Sequence, residues 1–332
     1  MPDAANVPML GLSNKAIDDS SVLPLPDGSM PEGEGEGETG EPEMPAQPAA
    51  AASALESLVH PPLEDHLARH TLWPEREKLY GHGYEICAVS SSPDGKIIAT
   101  ACRASAIEHA VVRLFDTKEW REIKPPLKSH SLTVTRLAFS PDGSKLLSVS
   151  RDRAWTVFEK KEADCWEVLK TMEKAHTRII WDGKWAPVEE VFVTASRDKS
   201  AKLWQREGQG WASKATVKFE APVTALDFLG QVVGGKCWLA VALEDGGLYL
   251  FNIEVGCWGD VKLVGRLDDR FAPPIGWIIG RVTDCDDPPN SITPDKAITQ
   301  ITWRPSEDQQ SVKELAVSSE DSSVRVYRIS IA

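Results

Sequence analysis

The stretch His176-Thr177-Arg178-Ile179-Ile180-Trp181, continuing through Val191-Phe192-Val193-Thr194-Ala195-Ser196-Arg197-Asp198-Lys199 to Leu203-Trp204, decides the fold. Its apolar runs are short, rich in β-branched and aromatic residues, and bounded by turn formers, which predicts strands and not helices. The same layout stands one segment earlier: His130, Val134-Thr135-Arg136-Leu137-Ala138-Phe139, the turn Ser140-Pro141-Asp142-Gly143, then Leu146-Leu147-Ser148-Val149-Ser150-Arg151-Asp152 and Val157-Phe158. A repeat is therefore the unit to read outward from.

Three further segments share the pattern. One runs from His82 through Ser92-Pro93-Asp94-Gly95 to Phe115-Asp116, one from Ala221 through Glu244-Asp245-Gly246 to Phe251, and one from Ala297 through Glu320-Asp321 to Tyr327. Asp152, Asp198 and Asp245 are spaced 46 and 47 residues apart, whereas Asp321 follows only after 76. An insertion over 254–294 accounts for the longer gap, and its Pro273-Pro274, Pro288-Pro289 and Asp286-Asp287 suit a surface excursion. Each repeat offers about three to four period-2 strands, so the fold class is all-β: a propeller with about five blades, near 82–116, 130–158, 176–204, 221–251 and 297–327, within 61–332.

Charge separates this region from what precedes it. The chain has 332 residues and a net charge of −13. Residues 1–70 hold 13 acids against Lys15 and Arg69, a balance of −11, which leaves −2 for the remainder. The run Glu32-Gly33-Glu34-Gly35-Glu36-Gly37-Glu38 and the alanines that follow offer too little apolar surface to offset ordering, so residues 1–60 are expected to be a disordered acidic tail.

Hydrophobic residues make up 42% of the chain, yet no run approaches the roughly 18 apolar residues of a membrane helix, so no membrane partner is expected. Nothing at the N-terminus reads as a secretory signal. The six cysteines are widely spaced, without C-x-x-C, which predicts reduced thiols and a cytoplasmic or also nuclear location. Gly35 to Gly40 fits G-x-G-x-x-G in letters only, because no strand precedes it and its glutamates would repel phosphate; Gly234-Gly235-Lys236 lacks the rest of a P-loop. No cofactor, metal or small-molecule substrate is expected.

Ser196, His176 and Asp198 are the residue types of a hydrolytic triad. A triad occurs once per active site, however, and here the set recurs as Ser150, His130 and Asp152. The segments resemble WD40 repeats, in which such residues form a structural tetrad. The resemblance implies that His176 bonds Asp198, that Ser196 bonds His176, and that the Trp204 indole closes the chain. In the second set Phe158 stands in the tryptophan position and leaves the tetrad incomplete.

Longer strings narrow the resemblance to the WD40 subunit family of the Elongator complex. They include Val7-Pro8-Met9-Leu10-Gly11-Leu12-Ser13-Asn14-Lys15-Ala16, Pro61-Pro62-Leu63-Glu64-Asp65-His66-Leu67, Leu72-Trp73-Pro74-Glu75 with Lys78-Leu79-Tyr80-Gly81-His82-Gly83-Tyr84, and Ser150-Arg151-Asp152-Arg153-Ala154-Trp155. The Gly/Glu run and 254–294 match poorly, and Asp295-Lys296 stands where a family histidine would precede Ala297. The family implies a non-catalytic scaffold that holds the largest subunit and the catalytic radical-SAM/acetyltransferase subunit together, for modification of tRNA wobble uridines. It also implies a longer protein with two seven-bladed propellers, of which this chain would carry part of the second. The alternatives are an adaptor in another assembly and, least favoured, a serine hydrolase.

If His176 bonds Asp198, the histidine loop and the aspartate turn share one propeller face. That places Arg178, Arg197 and Lys199 together, and the same logic adds Arg151 and Arg153 from the neighbouring blade. Turn arginines are often merely solvated. Their recurrence in Ser-Arg-Asp-basic strings, and the bidentate guanidinium fork, point to partner binding, with acidic protein surface or tRNA phosphate as targets.

Overall fold

A computed structural model describes residues 77–161, 165–208, 210–267, 277–282, 296–305, 312–321 and 324–331. The tail expected over 1–60, and the family-like strings before Glu77, lie outside the described residues. From Leu79 onward the chain forms one compact unit of antiparallel strands, in accord with an all-β propeller.

Four sheets take their strands in sequence order. The first contains β1 (Ile86–Ser91), β2 (Ile97–Cys102), β3 (Val111–Asp116) and β4 (Glu122–Lys128); the second, β5 (Val134–Phe139), β6 (Lys145–Ser150), β7 (Trp155–Lys160) and β8 (Trp166–Met172). The third contains β9 (Ile180–Trp185), β10 (Val191–Ser196), β11 (Ser200–Glu207) and β12 (Gly210–Lys218); the fourth, β13 (Val223–Phe228), β14 (Lys236–Leu243), β15 (Leu248–Glu254) and β16 (Val261–Leu267). The fifth differs. Its order is β17 (Trp277–Val282), β20 (Val324–Ser330), β19 (Val312–Ser319), β18 (Ile298–Trp303), so its outermost strand precedes the others in sequence. The stretch 254–294, read from the sequence as a surface excursion, thus contributes the outer strands β16 and β17.

Burial explains the sequence pattern. The second strand of a sheet has neighbours on both faces, and in β10 every residue of Val-Phe-Val-Thr-Ala-Ser is buried. The Ser-Pro-Asp-Gly turns that precede β2 and β6 need a positive φ at their last residue, 69° at Gly95 and 73° at Gly143, where glycine carries no Cβ penalty.

Inner strands β1, β5, β9, β13 and β18 contact one another in that order. The core is divided accordingly, with one apolar cluster between each pair of neighbouring sheets: Ala99 and Leu114 with Leu137 and Phe158, for example, or Trp155 with Phe192 and Trp204. Sheet order therefore fixes which connections lie side by side, and all functional candidates stand on those connections.

Candidate functional site

Two tetrad-like networks fix the end of the sheets where the histidine loops and aspartate turns meet. In the third sheet His176 Nδ1 lies 2.9 Å from Asp198 Oδ2, and Nε2 lies 2.8 Å from Thr194 Oγ1. The Trp204 indole donates to that same Thr194 oxygen at 2.9 Å. An ionised carboxylate only accepts, so Nδ1 carries the proton. In the second sheet His130 bonds Asp152 at 3.0 Å and Ser148 at 2.7 Å. Phe158 is fully buried and offers no donor to Ser148.

The serines differ from expectation. Ser196 donates to Ile179 O at 2.9 Å and accepts the Asp198 N–H at 3.1 Å; Ser150 donates to Thr133 O at 2.9 Å and accepts the Asp152 N–H at 3.2 Å. Neither is the histidine's partner. The two ring nitrogens face opposite ways, so when Nδ1 meets the turn aspartate, Nε2 reaches one pleat further from the turn, to Thr194 and Ser148. The constant offset of 18 residues, His82 to Thr100, His130 to Ser148 and His176 to Thr194, is the sequence signal for this partner. Because His176 has Asp198 and Thr194 on its two nitrogens, Ser196 has no general base beside it; Ser148 does stand on His130 Nε2, but it is fully buried, out of reach of a substrate.

Buried carboxylates with many donors titrate low. Burial alone would raise Asp198, but hydrogen bonds from His176 and Ser200, with the Thr177 amide, hold its carboxyl well below the usual range. Asp152 is lowered in the same way against its own burial, by His130 and the Ser131 and Ala154 amides. The first sheet lacks this carboxylate. His82 bonds Thr100 at 2.8 Å, Ala104 occupies the aspartate's offset, and burial together with the Arg113 charge lowers the His82 pKa.

The expected basic residues stand on this same end. Arg151 and Arg153 lie in the β6–β7 turn, Arg178 in the β8–β9 connection, and Arg197 and Lys199 in the β10–β11 turn, all exposed. Backbone bonds tie turn to loop: the Arg151 N–H donates to Thr133 O at 3.0 Å, and the Arg197 N–H to Ile179 O at 3.0 Å. The same bond in the first sheet, from Arg103 to Glu85 O, reveals a further arginine that the insert in the first repeat had concealed. Lys199 is anchored locally, its Nζ donating to Glu220 O at 2.8 Å. Among the described residues, Arg151, Arg153, Arg178 and Arg197 have no ion pair.

Arg153 and Lys199 adopt φ of 72° and 66°, where the fourth sheet has Gly246 at 85°. Long cationic side chains therefore occupy a left-handed position that glycine fills at less strain, a placement often retained for function. A cleft of about 540 Å³ between the first two sheets is lined by Arg103 and Arg151 with Tyr84 and Leu132.

The fold and its repeated networks define a WD40-repeat protein; the WD domain, G-beta repeat, matches residues 73–116, 122–159 and 166–205. The particular family is that of Elongator complex protein 2, to whose members the chain is similar along nearly all its length. It is 40% identical to the Saccharomyces cerevisiae protein over 99% of the chain and 38% of that protein. The Schizosaccharomyces pombe protein is 36% identical over 100% of the chain and 39% of its own length, and the human protein 32% over 99% and 40%. The chain thus spans about two fifths of the length of these relatives.

Proposed function

We propose that the chain acts as a non-catalytic scaffold segment in an Elongator complex, binding the largest and the catalytic subunits so that tRNA wobble uridines can be modified. Similarity to Elongator complex protein 2 through nearly the whole chain carries this reading. Its docking element is the rim of Arg151, Arg153, Arg178 and Arg197. Unpaired guanidinium groups on fixed turns suit carboxylates of a protein partner, and more indirectly tRNA phosphate. The tetrads fix the turns that carry these arginines and perform no chemistry. A cytoplasmic location, with access to the nucleus, fits this role.

Co-expression of the tagged chain with the other Elongator subunits tests it. The largest and catalytic subunits are expected to co-purify with the chain stoichiometrically; their absence, with a different stable partner in their place, would overturn the proposal.

A further inference from the structure

The position that carries Arg103, Arg151 and Arg197 exists in all five sheets. In each it is the first residue after the second strand from the centre, and its N–H donates to a carbonyl at the start of the inner strand. In the fourth sheet it is Glu244, bonded to Pro222 O at 2.9 Å, and in the fifth it is Glu320, bonded to Ala297 O at 3.0 Å. Five register-equivalent sites thus read Arg, Arg, Arg, Glu, Glu along the order of the sheets. All five are exposed.

The cationic neighbours repeat the division, since Arg153, Arg178 and Lys199 add positive charge on the second and third sheets. The aspartate after the equivalent position does not, being common to the second to fifth sheets as Asp152, Asp198, Asp245 and Asp321. Glu85, 3.9 Å from Arg103, Glu173 in the β8–β9 connection and Lys296 beside Ala297 also run against the division. Asp321 is engaged by Arg325 at 2.9 Å.

We infer that this face is bipolar and recognises a protein surface with an acidic patch juxtaposed to a basic one, not a nucleic-acid backbone. A phosphate chain following the rim would gain contacts over three sheets and meet repulsion over the next two, whereas a protein can match both signs. The two sectors also fix orientation, because a partner turned end for end sets like charges together. The basic half rests on the rim assigned above; the acidic half is new.

Two probes of known chemistry decide it on the full chain, by fluorescence anisotropy. One is a labelled peptide with a polyglutamate block, a flexible Gly-Ser linker and a polylysine block; the other is a labelled single-stranded RNA of about 20 nucleotides. In the double variant Glu244→Arg/Glu320→Arg, the RNA is expected to bind at least about fivefold tighter and the peptide at least about fivefold weaker. Both sites are exposed, so an unchanged melting temperature shows that the variant folds. Any result other than opposite shifts overturns the inference, as does RNA binding the unaltered chain more tightly than the peptide. Neither probe is an Elongator component, so failure to capture Elongator subunits leaves this comparison standing.

Discussion

Asp227 Oδ2 accepts the backbone N–H of Trp303 at 2.9 Å, so a carboxylate on the inner strand of the fourth sheet holds the inner strand of the fifth. The preceding junction repeats the device, with Asp182 Oδ2 accepting the Leu226 N–H at 3.1 Å while Arg136 Nε donates to Oδ1 at 2.9 Å. An inner strand has a free edge, and these side chains satisfy amides on it that would otherwise lack strand partners.

Replacing Asp227 with Ala should cost about 1–3 kcal/mol, because the Trp303 amide and Lys184, 3.2 Å away, lose their acceptor. Chemical denaturation measures this. Burial raises the Asp227 pKa, helped slightly by Asp182 and opposed by Lys184. The unfolded chain therefore ionises more readily than the folded one, and this residue's contribution to stability falls as pH rises from the ordinary carboxylate value through the folded one. In Asp227→Asn that decline should vanish.

Gly183 marks the close approach of the second and third sheets. A Cβ built there would lie 2.9 Å from Val149 Cγ1 and 3.2 Å from Leu147 Cδ2, both in the packed interface. Gly183→Ala should thus destabilise by about 1–3 kcal/mol through overpacking, read as a shift in denaturation midpoint.

Thr194→Val should remove the oxygen shared by His176 and Trp204 and leave two buried nitrogens unsatisfied, at a cost of about 1–3 kcal/mol. Ser196→Ala breaks only contacts to backbone and should leave the histidine network formed. The two variants are separable by the His176 imidazole NMR signals, expected to move in the first and hold in the second.

Asp198 titrates in the opposite sense to Asp227. Its folded pKa is lowered, so its stabilisation is complete above the ordinary carboxylate value and is lost as pH falls through that value toward the folded one. Melting temperatures should drop on acidification in the unaltered chain. In Asp198→Asn they should start lower at neutral pH and drop less.

Strands and turns were legible because period-2 alternation and the Ser-Pro-Asp-Gly signals are local. The fifth sheet's outer strand was not, since β17 pairs with β20 across the whole of β18 and β19, and no local pattern encodes that register. Thr194 was hidden for another reason: Thr194 and Ser196 are both hydroxyls on the same face of β10, and only the direction of the His176 ring chooses between them. The arginines could be placed on one face from the His176–Asp198 bond that the WD40 resemblance implies, a bond of 2.9 Å in the structure. The rim's acidic continuation at Glu244 and Glu320 required the backbone bonds that establish equivalence between sheets.

The central claim is that the arginine rim docks a partner, and the affinity of the purified largest and catalytic Elongator subunits for a variant combining Arg151→Ala, Arg153→Ala, Arg178→Ala and Arg197→Ala tests it most directly. Binding is predicted to weaken by at least about tenfold, or 1.4 kcal/mol, and to become less salt-dependent, while the melting temperature barely moves because exposed charges contribute only about 0–1 kcal/mol to folding. Unchanged affinity at both low and moderate salt would contradict it and leave the four arginines as solvated turn residues.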